Sequence, residues 1–181
     1  MNLLYKGEYL KRFKAVIKLL KEKNAIELCF GDTYIADHCF KNKISWKGYD
    51  INAGFVEHAK SKGYNAELSD LNTIPGLEKA EVCIITGSLY HFHSGLEALI
   101  KKMFESAPRI LISEPVINLS DQTGIIGKLA KRSASVKGKE QEFRYTETTL
   151  IKELESLSNK LNFTFTIRDR ISKDIIIELN K

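Results

Sequence analysis

The stretch Ala25-Ile26-Glu27-Leu28-Cys29-Phe30-Gly31-Asp32-Thr33 decides the fold. Residues 25–30 read as a short buried strand with one acid, Glu27, inside it. Gly31 breaks the strand into a turn. A helix follows, capped by Asp32 or Thr33, with Ile35, Ala36, Cys39 and Phe40 on one face. A second strand, 44–50, ends in Asp50 within Gly48-Tyr49-Asp50-Ile51. An acid at the tip of the second strand of an α/β unit can accept both hydroxyls of a ribose. The two strands together predict binding of an adenosine-containing cofactor.

Outward from this unit, residues 8–23 place Leu10, Phe13, Val16, Ile17 and Leu20 at helical spacing, with lysines on the other face. Downstream, 53–61 reads as a helix ended by Lys62-Gly63, where glycine suits a left-handed terminal residue. Strand three covers 64–69 and leads into Asp70-Leu71-Asn72 and a Pro75-Gly76 turn. Val82–Thr86 is a continuous apolar run, as a strand buried on both faces requires. Leu96, Leu99, Ile100, Met103 and Phe104 mark the clearest helix; Pro108 stops it, and 109–113 is strand five. Residues 118–143 are polar and irregular, with a short helix expected around 125–131. Thr146 can cap a helix carrying Leu150, Ile151, Leu154 and Leu157. The end, 162–168 and 172–179, reads as an antiparallel hairpin linked at Asp169-Arg170.

Alternating strands and helices predict an α/β class chain. The expected architecture is a Rossmann-like, seven-stranded, mostly parallel sheet with an antiparallel C-terminal hairpin and helices on both faces. Ligands in such sheets sit beyond the carboxyl ends of the strands. Gly31, Asp50, Asp70 and the segment 87–93 all fall there and are expected to line one cleft.

The 181 residues suit a single domain, 1–181, with 1–23 as a leading helix and 115–145 as an insert over the cleft. An apolar fraction of 43% and a charged fraction of 28% are those of an ordinary globular chain. No apolar run approaches the roughly 20 residues that span a bilayer, and the N-terminus lacks a signal-peptide pattern. Cys29, Cys39 and Cys83 lie in apolar contexts without ligand spacing. They read as reduced core residues of a cytoplasmic protein, with no metal expected. The net charge of +5 comes largely from lysines at 11–23 and 128–139. Aromatic residues do not interleave with them, so a solvated helix surface is favoured over a nucleic-acid interface.

The run Glu27-Leu28-Cys29-Phe30-Gly31-Asp32-Thr33, with the strand order and terminal hairpin, resembles the class I S-adenosylmethionine-dependent methyltransferases. The resemblance covers about residue 23 to the end. Of that family's alternating glycines only the middle one is present; Cys29 and Thr33 stand at the outer positions. The resemblance implies S-adenosylmethionine as cofactor and S-adenosylhomocysteine as product. Glu27 would organise the site around the cofactor's amino end, Cys29 would touch the cofactor from an outer glycine position, and Gly31 would let backbone approach it. Asp50 would take the ribose hydroxyls and Ile51 would line the adenine pocket. Asp70 would accept from the exocyclic amine, with the Leu71 N–H on a ring nitrogen. Gly87 and Ser88 would touch the cofactor by backbone. Tyr90, His91 and His93 are acceptor-side candidates, His91 as general base and Tyr90 beside it. Glu114, Arg144 and Tyr145 are further acceptor-side candidates, whereas His38 and His58 lie on helices. Each residue also has a plain reading: Gly31 as a turn, Glu27 as a network carboxylate, Asp50 as a helix cap, Asp70 as a turn residue, His91 as a cap or packing residue.

The implied reaction is methyl transfer to a small-molecule acceptor. One rival is a nicotinamide-dependent dehydrogenase, which wants a Gly-x-Gly-x-x-Gly turn that Gly31 does not supply. Others are a non-catalytic adenosine-cofactor-binding or scaffold protein on the same fold and a nucleic-acid methyltransferase. The oligomeric state and the acceptor are not legible.

Overall fold

The computed structural model describes residues 9–116 and 143–181. The helix expected around 125–131, and most of the insert, lie outside the described residues. In chain order the elements are α1 (Tyr9–Leu19), β1 (Asn24–Leu28), α2 (Tyr34–Lys41), β2 (Ser45–Asp50), α3 (Ala53–Ser61), β3 (Asn65–Leu68) and β4 (Val82–Thr86). A 3-10 helix (Leu89–Gly95), α4 (Leu96–Ser106), β5 (Arg109–Pro115), α5 (Glu147–Leu161), β6 (Thr164–Ile171) and β7 (Asp174–Asn180) follow.

The seven strands form one sheet in the order β3-β2-β1-β4-β5-β7-β6. β1 to β5 pair in parallel, and β7 enters antiparallel between β5 and β6. The direction of winding reverses between β1 and β4, so the loops after these two strands face each other across a crevice.

Alternation along the strands divides the core in two. Ile26 and Leu28 of β1 and Cys83 and Ile85 of β4 pack with Leu96, Ile100 and Met103 of α4 and Leu150 and Leu154 of α5. Ala25, Val82 and Ile84 face the other way, onto Phe13 and Val16 of α1, Ile35 and Cys39 of α2, and Val56 and Ala59 of α3. Each fully buried Leu or Ile contributes about 1.5–3 kcal/mol. All five residues of β4 are buried, the apolar Val82–Ile85 and the terminal Thr86 alike.

Helix ends follow local chemistry. The Asn52 side chain accepts from the Gly54 N–H to open α3, and Gly63 takes φ +79° just past its end. Thr146 and Thr149 form a reciprocal capping box on α5. Thr33 is the N-cap of α2 but makes no side-chain capping bond.

One reading is corrected. The hairpin link is not Asp169-Arg170: β6 runs through to Ile171, and the chain turns at Ser172-Lys173 with Ser172 at φ +57°. Asp169 and Arg170 look like turn residues because β6 is an edge strand with an exposed charged face, and Arg170 pairs with Glu147. Such charges shield an edge from pairing with another chain. Segment 87–93, which the sequence placed only after strand four, enters a 3-10 helix over Leu89–Gly95, kinked at Phe92 and held by a buried carboxylate described below.

Gly48 is a packing constraint on β2. A Cβ there would meet Trp46 and stand 2.7 Å from Phe30 Cδ1, and the two rings pack edge to face with centroids 5.3 Å apart. Gly48→Ala is expected to destabilise by about 1–3 kcal/mol through overpacking, lowering Tm by several degrees in thermal denaturation. An unchanged Tm would refute this packing.

Candidate functional site

The turn after β1 is built on backbone that side chains rarely adopt. Cys29 lies at φ +51° and Gly31 at φ +53°. Gly31 needs its freedom for conformation, not for space, since a Cβ would come no nearer than 3.9 Å to Phe55 and 4.0 Å to the Cys29 carbonyl. Cys29, at an outer glycine position of the family pattern, holds a left-handed conformation with a side chain. Thr33, at the other outer position, is buried, and its hydroxyl accepts from Lys62 Nζ at 2.7 Å. It ties α2 to the end of α3.

Asp50 closes this turn from the neighbouring strand. One carboxylate oxygen accepts the Gly31 N–H at 2.9 Å and the other accepts the Asn52 N–H at 2.8 Å. The residue is only 6% exposed. Each oxygen keeps acceptor capacity beyond its one backbone bond, since an ionised carboxylate offers about four lone-pair sites. Beside it stand two apolar side chains without cover: Ile51, 67% exposed after β2, and Leu68, 55% exposed at the end of β3.

Asp70 acts locally as a turn residue. Its Oδ1 accepts from the backbone and side-chain N–H groups of Asn72 at 2.9 and 3.0 Å. Leu71 is buried. Its carbonyl accepts from Lys102 Nζ at 2.7 Å, and the same ammonium donates to the Ile74 carbonyl at 2.8 Å. One lysine of α4 thus fixes the loop after β3.

Glu27 points into the core on the α1–α3 side. It is fully buried, Oε2 accepts from the Trp46 indole N–H at 2.9 Å, and Oε1 has no partner among the described residues. Burial raises its carboxyl well above the ordinary range; the indole bond opposes this, and Asp32 and Asp50 add to it. Burial, then the charges of Asp50, Glu27 and Asp70, push the Cys29 thiol up to about 12. Three acids from three strand ends therefore act on one point, the turn after β1.

Across the crevice, Gly87 follows β4 at φ +66°, and its N–H donates to the Ser113 carbonyl at 2.6 Å. Ser88 starts the 3-10 helix, and its hydroxyl lies 3.4 Å from the Thr86 carbonyl. Glu114 of β5 holds that helix: its two oxygens accept the Leu89 and Tyr90 N–H groups at 2.9 and 3.1 Å. Glu114 has no solvent exposure, and burial raises its carboxyl to about 8 against the pull of those bonds and of Arg144. Tyr90 is buried, with the Arg144 guanidinium 3.5 Å above its ring centroid and the His91 ring 3.9 Å from it. His91 is exposed. His93 stacks on Phe143 at 4.1 Å, and Phe143 meets Tyr145 edge to face at 4.8 Å. Sequence reading missed two further charged residues at this end, Arg12 and Asp174, which pair at 3.2 Å. Arg12 sits beside Phe13 and one turn before Val16, on the apolar stripe of α1, and a lone arginine there was the available signal.

The glycine-turn residues and Asp50 are thus joined directly and Asp70 electrostatically, while Tyr90, His91, Glu114 and Arg144 form a second group across the crevice. Glu27 lies beneath the turn. Among the described residues there is no cluster of His, Cys, Asp and Glu able to hold a metal, and no helix is long and apolar enough to cross a membrane.

No protein-family model and no curated protein matches the sequence. Solved structures do. Magnesium protoporphyrin IX methyltransferase (ChlM) from Synechocystis PCC 6803, with bound SAH, superimposes at TM-score 0.75 and 15% identity over 98% of this chain and 85% of that one. The DhpI-SAM-HEP complex matches at TM-score 0.70 and 12% identity over 98% and 87%. Human N-acetylserotonin methyltransferase in complex with SAM matches at TM-score 0.66 and 17% identity over 99% and 58%. The chain has the class I S-adenosylmethionine-dependent methyltransferase fold.

Cys29→Gly should relieve a left-handed non-glycine residue and stabilise the protein by about 1 kcal/mol, read as a higher Tm. A lower Tm would mean that the thiol's packing outweighs the backbone strain. Glu114 adds a pH dependence. An ordinary glutamate ionises near 4.5, whereas this one holds its proton to about 8 when folded. Between those values the folded state binds one proton more than the unfolded chain, so stability falls as pH rises through the window, by up to about 1.4 kcal/mol per pH unit. The loss of Tm between about pH 5 and about pH 8 should be smaller in Glu114→Gln than in the unsubstituted protein. Equal losses would contradict this.

Proposed function

We propose that the chain transfers a methyl group from S-adenosylmethionine to a small-molecule acceptor. The observation that carries this reading is Asp50: a buried carboxylate at the tip of β2, oriented by two backbone N–H groups and still able to accept from two vicinal hydroxyls. The surroundings fit the cofactor. No atom comes nearer than 3.9 Å to where a Gly31 Cβ would stand, and Ile51 and Leu68 offer uncovered apolar surface for an adenine.

Charge favours this cofactor over its closest rival. Burial raises the Cys29 thiol first, and the Asp50 and Asp70 carboxylates add a negative field at the turn after β1. A cationic ligand gains from that field, whereas the pyrophosphate of a nicotinamide dinucleotide is repelled by it. The turn also lacks the glycines that a pyrophosphate needs for close approach.

Bound S-adenosylmethionine supplies a methyl group on a positively charged sulfur that leaves as a neutral thioether. The protein's part is alignment and exclusion of water. Asp50 fixes the ribose, Gly31 and Cys29 present backbone to the amino-acid end, and Asp70 with the Leu71 N–H holds the base. Gly87 and Ser88 close the crevice from β4. The exposed His91 stands where an acceptor proton can be taken, and the buried Tyr90, under the Arg144 guanidinium, forms the floor beside it. Alignment of this kind lowers barriers by about 7–11 kcal/mol in favourable cases, so the reaction needs a base only when the acceptor brings its proton into the transition state.

Calorimetric titration with S-adenosylhomocysteine is expected to give saturable binding, weakened about 10-fold or more in Asp50→Asn through loss of charge-assisted hydrogen bonds. Absence of binding at about millimolar ligand, or an unchanged affinity in Asp50→Asn, would overturn the reading.

A further inference from the structure

α1 delivers a buried guanidinium to the β4 side of the crevice. Arg12 Nη2 pairs with Asp174 Oδ2 at 3.2 Å, and their side chains are only 12% and 5% exposed. The guanidinium lies against the backbone of Gly87, where a Cβ would collide with Nη1. The pair is incompletely satisfied: Arg12 Nε and Asp174 Oδ1 are buried and have no hydrogen-bond partner among the described residues. Arginine has five donors, and here a single carboxylate oxygen uses one of them. The Tyr9 ring, 5.5 Å from the guanidinium carbon, covers it from the N-terminal side. An under-used buried guanidinium is costly unless another anion completes it.

The position selects the anion. Resting on the methyltransferase reading, the ribose is held at the tip of β2 and the ligand runs across the β1 turn toward β4. Its amino-acid end then meets the Gly87 side. That end carries an α-carboxylate, which the acid-rich β1 turn repels. We propose that Arg12 binds the α-carboxylate of the cofactor, with Gly87 kept free of a side chain so that the guanidinium can reach it. Asp174 is the positioning residue: it aims the guanidinium from β7 and neutralises part of its charge. The assignment gives α1, which precedes the nucleotide-binding unit, a direct place in the site.

The test uses S-adenosylmethionine and decarboxylated S-adenosylmethionine, which keeps the nucleoside, sulfonium and amine but lacks the carboxylate. Affinities of both are measured by calorimetry for the unsubstituted protein and for Arg12→Gln. The unsubstituted protein should prefer S-adenosylmethionine by about 10- to 100-fold, the range for hydrogen bonds between charged groups, and Arg12→Gln should abolish the preference while leaving the decarboxylated form nearly unaffected. Arg12→Lys should restore part of it. A structural role alone would lower Tm and weaken both ligands equally. Equal affinities in the unsubstituted protein, a measurement that needs no variant, would overturn the assignment. So would a preference that survives in Arg12→Gln, which would assign the guanidinium to an acceptor or to the fold. Failure of either form to bind the unsubstituted protein would instead remove the methyltransferase reading itself, and this inference with it.

Discussion

The bond from the Gly31 N–H to the Asp50 carboxylate is the constraint on which the rest depends. It joins the tip of β2 to the turn after β1 at 2.9 Å. The turn needs such an anchor because it holds two left-handed residues, Cys29 and Gly31, and one of them has a side chain. A carboxylate is well suited, since one oxygen can fix the turn while the other caps the start of α3 through Asn52. The same bonds keep a charged group at the mouth of a largely apolar sheet. A ribose bound as proposed would draw on the same side chain that holds the turn.

Burial rather than pairing governs the buried groups Glu27, Glu114 and Cys29. Glu27 has one indole partner, and its carboxyl is pushed up despite that bond. Glu114 accepts two backbone N–H groups and is still raised. In both, the loss of hydration outweighs the hydrogen bonds gained. Cys29 belongs to the same regime, and its thiol stays protonated beside three acids. Alkylation needs a thiolate, so this cysteine is chemically quiet despite its place in the turn.

The order of elements was legible because it follows from hydrophobic period and from the alternation of strand and helix. β4 shows this best: four consecutive apolar residues, Val82 to Ile85, closed by Thr86, all buried. Asp50 was legible because its role depends on position at a strand end, which sequence spacing gives. The 3-10 helix after β4 was not. It is set by Glu114, distant in sequence, whose carboxylate collects the Leu89 and Tyr90 N–H groups only after β5 has joined the sheet. The hairpin boundary was misplaced because a charged edge strand and a polar turn have the same composition. Arg12 and Asp174 were missed for a related reason. Their meaning lies in a pairing between the first helix and the last strand, and no local pattern encodes it.

That pairing bears on biosynthesis. β7 follows every other described strand in the chain, yet it sits between β5 and β6 and carries Asp174 to the mouth of the crevice. A nascent chain that has emerged only as far as α5 lacks this carboxylate and exposes the whole hydrogen-bonding edge of β5. Contacts so distant in sequence form late, and open sheet edges invite aggregation while they wait. Until β7 emerges, the edge of β5 that it covers has no partner strand.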